Sequence, residues 1–441
     1  MKDDTVYGSK RDSKGRGHVP GENGPEPVSR YLLRSTFLPD RGAVKLRKVL
    51  HSGIDKVYNW HNLKAASKKV IEKRGAGGVD RMSVKQWREG EDKYLTRLRH
   101  MLMNDLYRSK PVKRTKIPKR GSRKKKRVLG IPTIRDRVCQ QAVLNVLQPI
   151  FEEYFHASSH GFRPGHSTRT AAKEVERLRR IGYRFVADVD IEDFFDQVNH
   201  EILMRLVRQV VKDRRVLGLI RGWLKAGVME EGNIRYQTSG TPQGGVISPL
   251  LSNVYLTVLD RALEEAGYRF VRYADDIVCL CRSKEEAEQA LEYIRRVLRK
   301  LKLELNEEKS GITSFKEGPD FLGYRFGPRG RGVGSNSLRA FYAKVREVTH
   351  RNQGDIPVGK VIDNLNPVIR GWGNYHREGR NVGLFAKLDV WVRNRLRGYV
   401  SKRWQIHHRL NVIMTNKELT RLGLLSLHGV IRPDSRQLKL L

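Results

Sequence analysis

Apolar and polar positions along this chain follow two spacings that change over in a definite order. Helical spacing begins near Leu50. The stretch "AASKKVIEKRGAGGVDRMSVKQW" predicts a helix stopped by Gly75, a turn through Gly77 and Gly78, and a new helix start near Ser83. In "VLGIPTIRDRVCQQAVLNVLQPIFEEYF" a short apolar strand gives way to a long amphipathic helix, and "GFRPGHSTRTAAKEVERLRR" is a Gly/Pro loop entering a helix near Ser167. Strand patterns then take over in "YRFVADVDIEDFFDQVNH" and "FVRYADDIVCLCR". After them, Ser283 with Glu286 makes a capping box, and Ala287, Leu291, Ile294, Leu298 and Leu301 form one helical stripe. Helices packed on one face of a short antiparallel sheet are expected, an α+β class. "GPRGRGVGSNS" (327–337) reads as a hinge loop, and beyond it the chain is helical, with Leu388, Val392, Leu396 and Val400 as a packing stripe. No fixed-period repeat is present.

Charge changes this picture more than composition does. The 441 residues carry a formal +39, with 39% hydrophobic and 8% aromatic content. That is enough for packed cores in two to four sub-domains, and self-repulsion of this size is best tolerated beside a polyanion, with nucleic acid the obvious one. Residues 1–45 read as a mobile basic tail. "RSKPVKRTKIPKRGSRKKKR" (108–127) fits a solvated loop, or a basic hairpin gripping phosphate beside the rigid helix that follows. Arg393, Arg395 and Arg397 fall largely off the apolar stripe of their helix, on faces available to phosphate. Cys139, Cys279 and Cys281 lie in apolar runs and form neither a disulfide framework nor a zinc cluster. No stretch approaches a membrane span and the start lacks a signal-peptide core, so a cytoplasmic, nucleic-acid-associated protein is expected.

Within "FVRYADDIVCL" two adjacent carboxylates interrupt a buried-strand pattern. Unpartnered buried charges are costly and neighbouring ones repel. A tight hairpin turn would let Asp275 and Asp276 reach one locus, where divalent cations offset both costs. Magnesium prefers hard oxygen ligands of this kind. "FVADVDIEDFF" supplies a third carboxylate, Asp190. Asp-Asp alone fits a turn or cap better than a metal site; Asp190 on a second β-rich segment and the charge reverse that preference. Two metals at such a locus can activate a hydroxyl and stabilise a leaving oxygen in an in-line displacement.

In order along the chain, "GAGGVD", "LGIPTIRDRVCQQAV", "SSHGFRPGHST", "DIEDFFDQVNH", "GTPQGGVISPLLSNVYL", "YADD", "LKLELNEEKS", "FLGYRF" and "LNPVIRGWGNYHR" resemble the motifs of group II intron-encoded reverse transcriptases and maturases. The likeness runs from about residue 50 to 405. It implies a right-hand polymerase: tail 1–45, fingers 46–180, palm with an antiparallel sheet 181–326, and an α-helical thumb or maturase domain 327–441. It implies an RNA-directed DNA polymerase that extends a primer 3′-hydroxyl on an RNA template and binds group II intron RNA to assist splicing and retrohoming. Its partners would be that RNA, an RNA template with DNA primer, target DNA and deoxynucleoside triphosphates.

Residue by residue, Asp190, Asp275 and Asp276 would hold two magnesium ions, with manganese as a substitute. Phe195 would be the steric gate against a 2′-hydroxyl, or an ordinary core aromatic. Gln243 would lie under the incoming nucleotide, with Gly244 and Gly245 permitting close approach. Arg127 and Arg137 would clamp the triphosphate or merely stabilise the hairpin, and Lys309 would assist the pyrophosphate or pack. Phe321, Leu322, Gly323 and Tyr324 would grip the primer. Arg163, His166 and Arg169 would touch RNA from the finger loop, and Arg370, Arg377 and Arg393 from the thumb. Trp372 and Tyr375 would stack on bases or pack as thumb core. The end of the chain has no Cys, and His407 and His408 lack partners, so no endonuclease is expected, as in the bacterial IIC-like lineage. The alternatives are a maturase with a vestigial polymerase, or a domesticated host enzyme of repair or phage defence.

Overall fold

The computed structural model describes residues 48–118, 126–230, 233–235, 240, 244–350, 356–404 and 414–431. Among the described residues, eleven short strands form three sheets: β1 (Val112–Pro118), β2 (Lys126–Ile131), β3 (Phe185–Val189), β4 (Val228–Glu230), β5 (Asn233–Arg235), β6 (Arg269–Tyr273), β7 (Asp276–Cys281), β8 (Gly311–Ser314), β9 (Asp320–Phe321), β10 (Tyr324–Gly327) and β11 (Gly330–Val333). Helices fill the rest. The arrangement is α+β, with fingers, palm and a helical carboxy-terminal unit in chain order.

In the fingers, the helix Trp60–Glu72 stops before Arg74, at φ 46°, and Ser83 starts the next helix with a full capping box. The helix Trp60–Glu72 packs on Ile134–Phe151. That helix is not amphipathic as its spacing predicted. Asp136, Arg137, Gln140 and Gln141 are all buried with its apolar residues. It lies between helices on several sides, and its polar side chains find partners there: Asp136 accepts from Tyr107 Oη at 2.7 Å, and Gln140 accepts from the Val246 N–H at 2.7 Å. The basic run forms the antiparallel β1–β2 hairpin, extended by β4 and β5; its tip, 119–125, lies outside the described residues.

The palm sheet has the order β6-β7-β3-β8. Strand alternation sends Ala187, Val189, Ile277 and Cys279 into the main core and Val186, Val271, Val278 and Leu280 into a second one. The second face is therefore covered too, by Ala171, Ala172, Val175 and Leu178 of the helix Thr168–Arg180 and by Phe321, Tyr324 and Phe326. The one-faced sheet expected from sequence is corrected here. The helix 168–180, placed with the fingers by its position in the chain, packs on the palm. Ser283 caps the helix Lys284–Lys300, but the Glu286 carboxylate accepts from Arg282 N rather than completing a box.

The stretch 327–337 is no hinge loop. Gly327 and Gly330 close the β10–β11 hairpin, and a helix follows directly at Ser335–Val348. The helices Ser335–Val348, Val358–His376 and Val382–Trp404 enclose a core of their own, in which Leu388, Val392, Leu396 and Val400 are buried, as the stripe predicted. Arg395 and Arg397 are engaged within the fold: Arg395 donates to Thr349 and Arg397 to the Met414 carbonyl. All three cysteines are buried thiols. Among the described residues no helix is long and apolar enough to cross a membrane.

Candidate active site

Two residues, Ala274 and Asp275, connect β6 to β7, and Tyr273 pairs directly with Asp276. Two-residue hairpins demand positive φ at the turn, and Ala274 takes 61°. Asp275 thus stands on the turn and Asp276 opens β7. Along β3, Val189 pairs with Ile277 and Asp188 with Val278. Extended by one step, that register carries Asp190, just past the end of β3, toward Asp276, whose carboxyl feels its charge. The loop after Leu305 pins Asp190 in place: its N–H donates to Ser310 Oγ at 3.0 Å and its carbonyl accepts from Asn306 N at 2.8 Å.

The predicted three acids are thus brought to one end of the sheet, on adjoining strands. A fourth joins them. Asp188 precedes Asp190 by two residues and so shares its face of β3. Its carboxyl is pushed up to about 6 by burial and by Asp190. Sequence reasoning passed over it, although the i, i+2 spacing of two acids on a strand was the available signal. Crowding by surrounding protein, followed by the like charges of Asp275, Asp190 and Asp188, pushes the Asp276 carboxyl up to about 7. Water still reaches the Asp276 side chain, so the mutual repulsion is the part of that shift that bears on function. Lys309 Nζ donates to Asp190 Oδ2 at 2.9 Å, which raises the lysine above its ordinary value.

With Asp190 turned to Lys309, no three acidic, histidine or cysteine side chains among the described residues meet closely enough to hold a metal ion. The donor set nevertheless suits a divalent cation in its chemistry. Four hard carboxylates repel one another at one strand end, and a cation between them would remove the repulsion.

Around the acids, Phe195 is half-buried and edge-on to the core residue Phe194, ring centroids 5.3 Å apart. Gly240 passes so close that a Cβ there would lie 3.2 Å from the Phe195 carbonyl. Gly244 is pressed onto the finger hairpin: a Cβ would fall 2.9 Å from the Gly130 carbonyl. Gln243 lies outside the described residues, as does the Arg127 side chain. Arg137 is buried and donates to the Ala76 carbonyl at 2.6 Å. It ties down the "GAGG" turn, which favours a structural role over that of a triphosphate clamp.

The segment 321–324 is a two-residue hairpin, with Leu322 and Gly323 at φ 50° and 77° and Phe321 paired to Tyr324. Both aromatics are buried, and Tyr324 stacks on Tyr375 at 5.1 Å. Tyr375 Oη donates to the Leu322 carbonyl at 2.7 Å. Tyr375 is therefore a clasp between palm and thumb, and Trp372 is thumb core, 4.5 Å from Phe341 with Nε1 donating to Ser337 Oγ at 3.1 Å. Of the two roles open to each, these contacts favour packing.

Two finger-loop assignments are corrected as well. The Arg163 side chain is 7% exposed, and it donates to Glu152 and to the His156 and Ser159 carbonyls. Arg169 donates to the Asn374 carbonyl. Arg163 satisfies part-buried acceptors of its own loop, and Arg169 one 205 residues away. The half-buried His166 keeps its ring beside Pro164 and His160. Arg377 is exposed, while Arg370 and Arg393 are half-buried.

Residues 117–326 match the family model described as reverse transcriptase (RNA-dependent DNA polymerase), and residues 338–415 match the group II intron, maturase-specific domain. Among curated relatives, "Protein YkfC" of Escherichia coli is 36% identical over 267 residues, 52% of this chain and 70% of that protein. "Group II intron-encoded protein LtrA" of Lactococcus lactis is 31% identical over 331 residues, 60% of this chain but only 53% of that protein. Among solved structures, the "Partial Cas6-RT-Cas1--Cas2 complex" is similar at 25% identity and a TM-score of 0.35, covering 56% of this chain and 41% of that one, too loose a likeness to carry weight. With the palm register and the relatives in agreement, the chain belongs to the reverse transcriptase family, in the group II intron branch that carries the maturase-specific domain.

Proposed function

We propose that this protein extends a DNA primer on an RNA template, and that the same basic surface holds group II intron RNA for splicing and retrohoming into target DNA. The observation that carries the reading is the β3–β7 register, which carries Asp190 toward Asp276 beside the turn residue Asp275. Asp190, Asp275 and Asp276 would hold divalent ions, two magnesium or manganese in their place. Bound there, the metal supplies hydroxyl activation and charge neutralisation at the phosphoryl centre.

The chain's own residues do the remainder. The turn delivers Asp275 and Asp276 as a rigid pair, and Lys309 offers an ammonium beside Asp190 for phosphate oxygens. Phe195 limits space at the sugar, and the 321–324 hairpin, clasped to the thumb by Tyr375, offers backbone to the primer end. Arg370, Arg377 and Arg393, with His166 on the finger loop, are the side chains we retain for phosphate contact, and the nucleic-acid-rich cytoplasm is the compartment that suits them.

Primer extension on poly(rA)/oligo(dT) with dTTP and magnesium tests the reading: processive product is expected, and its absence from folded, RNA-binding protein would remove the enzyme. The gate has its own outcome. Phe195→Ala is expected to raise incorporation of ribonucleotides relative to deoxynucleotides by about 10- to 200-fold, the range over which apolar pockets discriminate by shape. An unchanged ratio in single-nucleotide extension would return Phe195 to the core.

A further inference from the structure

The hairpin that carries the acids is itself held by a buried group with no part in the reaction above. Arg272, on β6 two residues before the turn, is 0% exposed, and so is Asp260 on the helix Ser248–Glu265. Arg272 Nε and Nη2 donate to the two Asp260 carboxylate oxygens at 2.7 and 2.5 Å. Its Nη1 donates to Asn253 Oδ1 at 2.9 Å and to the Ala274 carbonyl at 3.0 Å. Asn253, two helical turns before Asp260 on the same face, donates from Nδ2 to the Gly161 carbonyl at 2.8 Å. Gly161 in turn lies against the hairpin, so closely that a Cβ there would fall 2.2 Å from Ala274 N.

A buried ion pair is a poor device for stability, because desolvation offsets the Coulomb attraction and apolar replacements are often as stable. A two-pronged guanidinium–carboxylate contact is, however, a good device for orientation. Here the fork clamped on Asp260 leaves Nη1 aimed at the Ala274 carbonyl. That carbonyl shares its peptide plane with the Asp275 N–H, so any rotation of the peptide would swing the Asp275 side chain. Gly161 blocks the turn from one side and Arg272 ties it from the other.

We propose that Arg272, oriented by Asp260 and Asn253, is a positioning residue that sets the Ala274–Asp275 peptide and thereby the aim of Asp275 and Asp276. Its consequence for rate rests on the polymerase reading; its consequence for geometry does not. Arg272→Lys keeps the charge and loses the fork, and Asn253→Ala leaves the Arg272–Asp260 pair intact while removing the tie to Gly161. Each full-length variant is compared with the parent in thermal melting, in kcat and KM for primer extension, and in amide hydrogen exchange of the 273–277 segment without substrate.

The expected result is a cooperative melt and a kcat lowered by about 100-fold, the usual cost of a misplacement near 1 Å, with KM for primer–template held within about twofold. Exchange should quicken in the hairpin and not in β3. Where Arg272→Lys fails to fold, Asn253→Ala decides. A folded variant with parental kcat and parental hairpin exchange overturns the proposal. If the parent itself extends no primer, the polymerase reading has failed, and hairpin exchange alone then decides the positioning role.

Discussion

Replacing Asp275 by alanine lowers DNA synthesis on an RNA template by about 1000-fold while leaving the protein folded and able to bind RNA. The expectation follows from the register of the palm sheet. Asp275 stands on a two-residue turn, next to Asp276 and one strand away from Asp190. Its charge is among those that push the Asp276 carboxyl up to about 7. That charge repels its neighbour's, so its removal relieves the repulsion at Asp276. The loss therefore falls on the reaction. Removing one preorganised group that stabilises charge in a transition state costs about 100- to 1000-fold, and a carboxylate that would hold divalent ions should sit at the upper end of that range. Each factor of ten is about 1.4 kcal/mol of barrier. Rates are read from single-nucleotide extension with primer–template and dNTP saturating, and RNA affinity from filter binding of the same preparations. Equal extension by parent and Asp275→Ala would place the chemistry elsewhere and leave a basic RNA-binding protein.

The parts of this site that could be read from the chain are those whose cause is local. A strand alternates faces every residue, and a hairpin needs a turn between two apolar runs, so "FVRYADDIVCL" announces both its bend and the carboxylates on it. The stripe Leu388, Val392, Leu396 and Val400 is legible for the same reason, one period on one helix. What escaped were partnerships between residues far apart in the chain. Arg169 finds the Asn374 carbonyl 205 residues away, and Arg331 meets Glu378 at 2.8 Å from 47 residues away. A basic residue in a Gly/Pro loop looks like a phosphate contact until the acceptor that buries it is known. The helix Ile134–Phe151 misled in the opposite sense: its Asp, Arg and Gln positions mark a solvent face by pattern, yet neighbouring elements cover them and use their donors and acceptors. Asp188 was readable and was missed, since two acids two apart on a strand necessarily share a face.

The same distinction between committed and available cations governs the second large effect, the loss of RNA affinity with salt. Of the +39 formal charge, Arg163, Arg169, Arg272, Arg331, Arg395 and Arg397 have donors engaged by acceptors inside the fold. The footprint on RNA must come from the rest, above all from the basic hairpin. There Lys116 and Lys126 share one face, since Lys126 pairs with Pro118, two residues from Lys116, and both lysines are exposed. If about 6–10 phosphates are neutralised, counterion release makes affinity fall by about 10³- to 10⁵-fold between 50 and 200 mM salt, with a log–log slope of about −0.7 to −0.9 per contact. Lys116→Ala and Lys126→Ala should each weaken binding to structured and unstructured RNA alike and flatten that slope by about one. Fluorescence anisotropy of a labelled RNA across a salt series reads both quantities. A slope unchanged by the double substitution would move the footprint off the hairpin, and affinity flat across the series would show that phosphate neutralisation is not what holds the RNA.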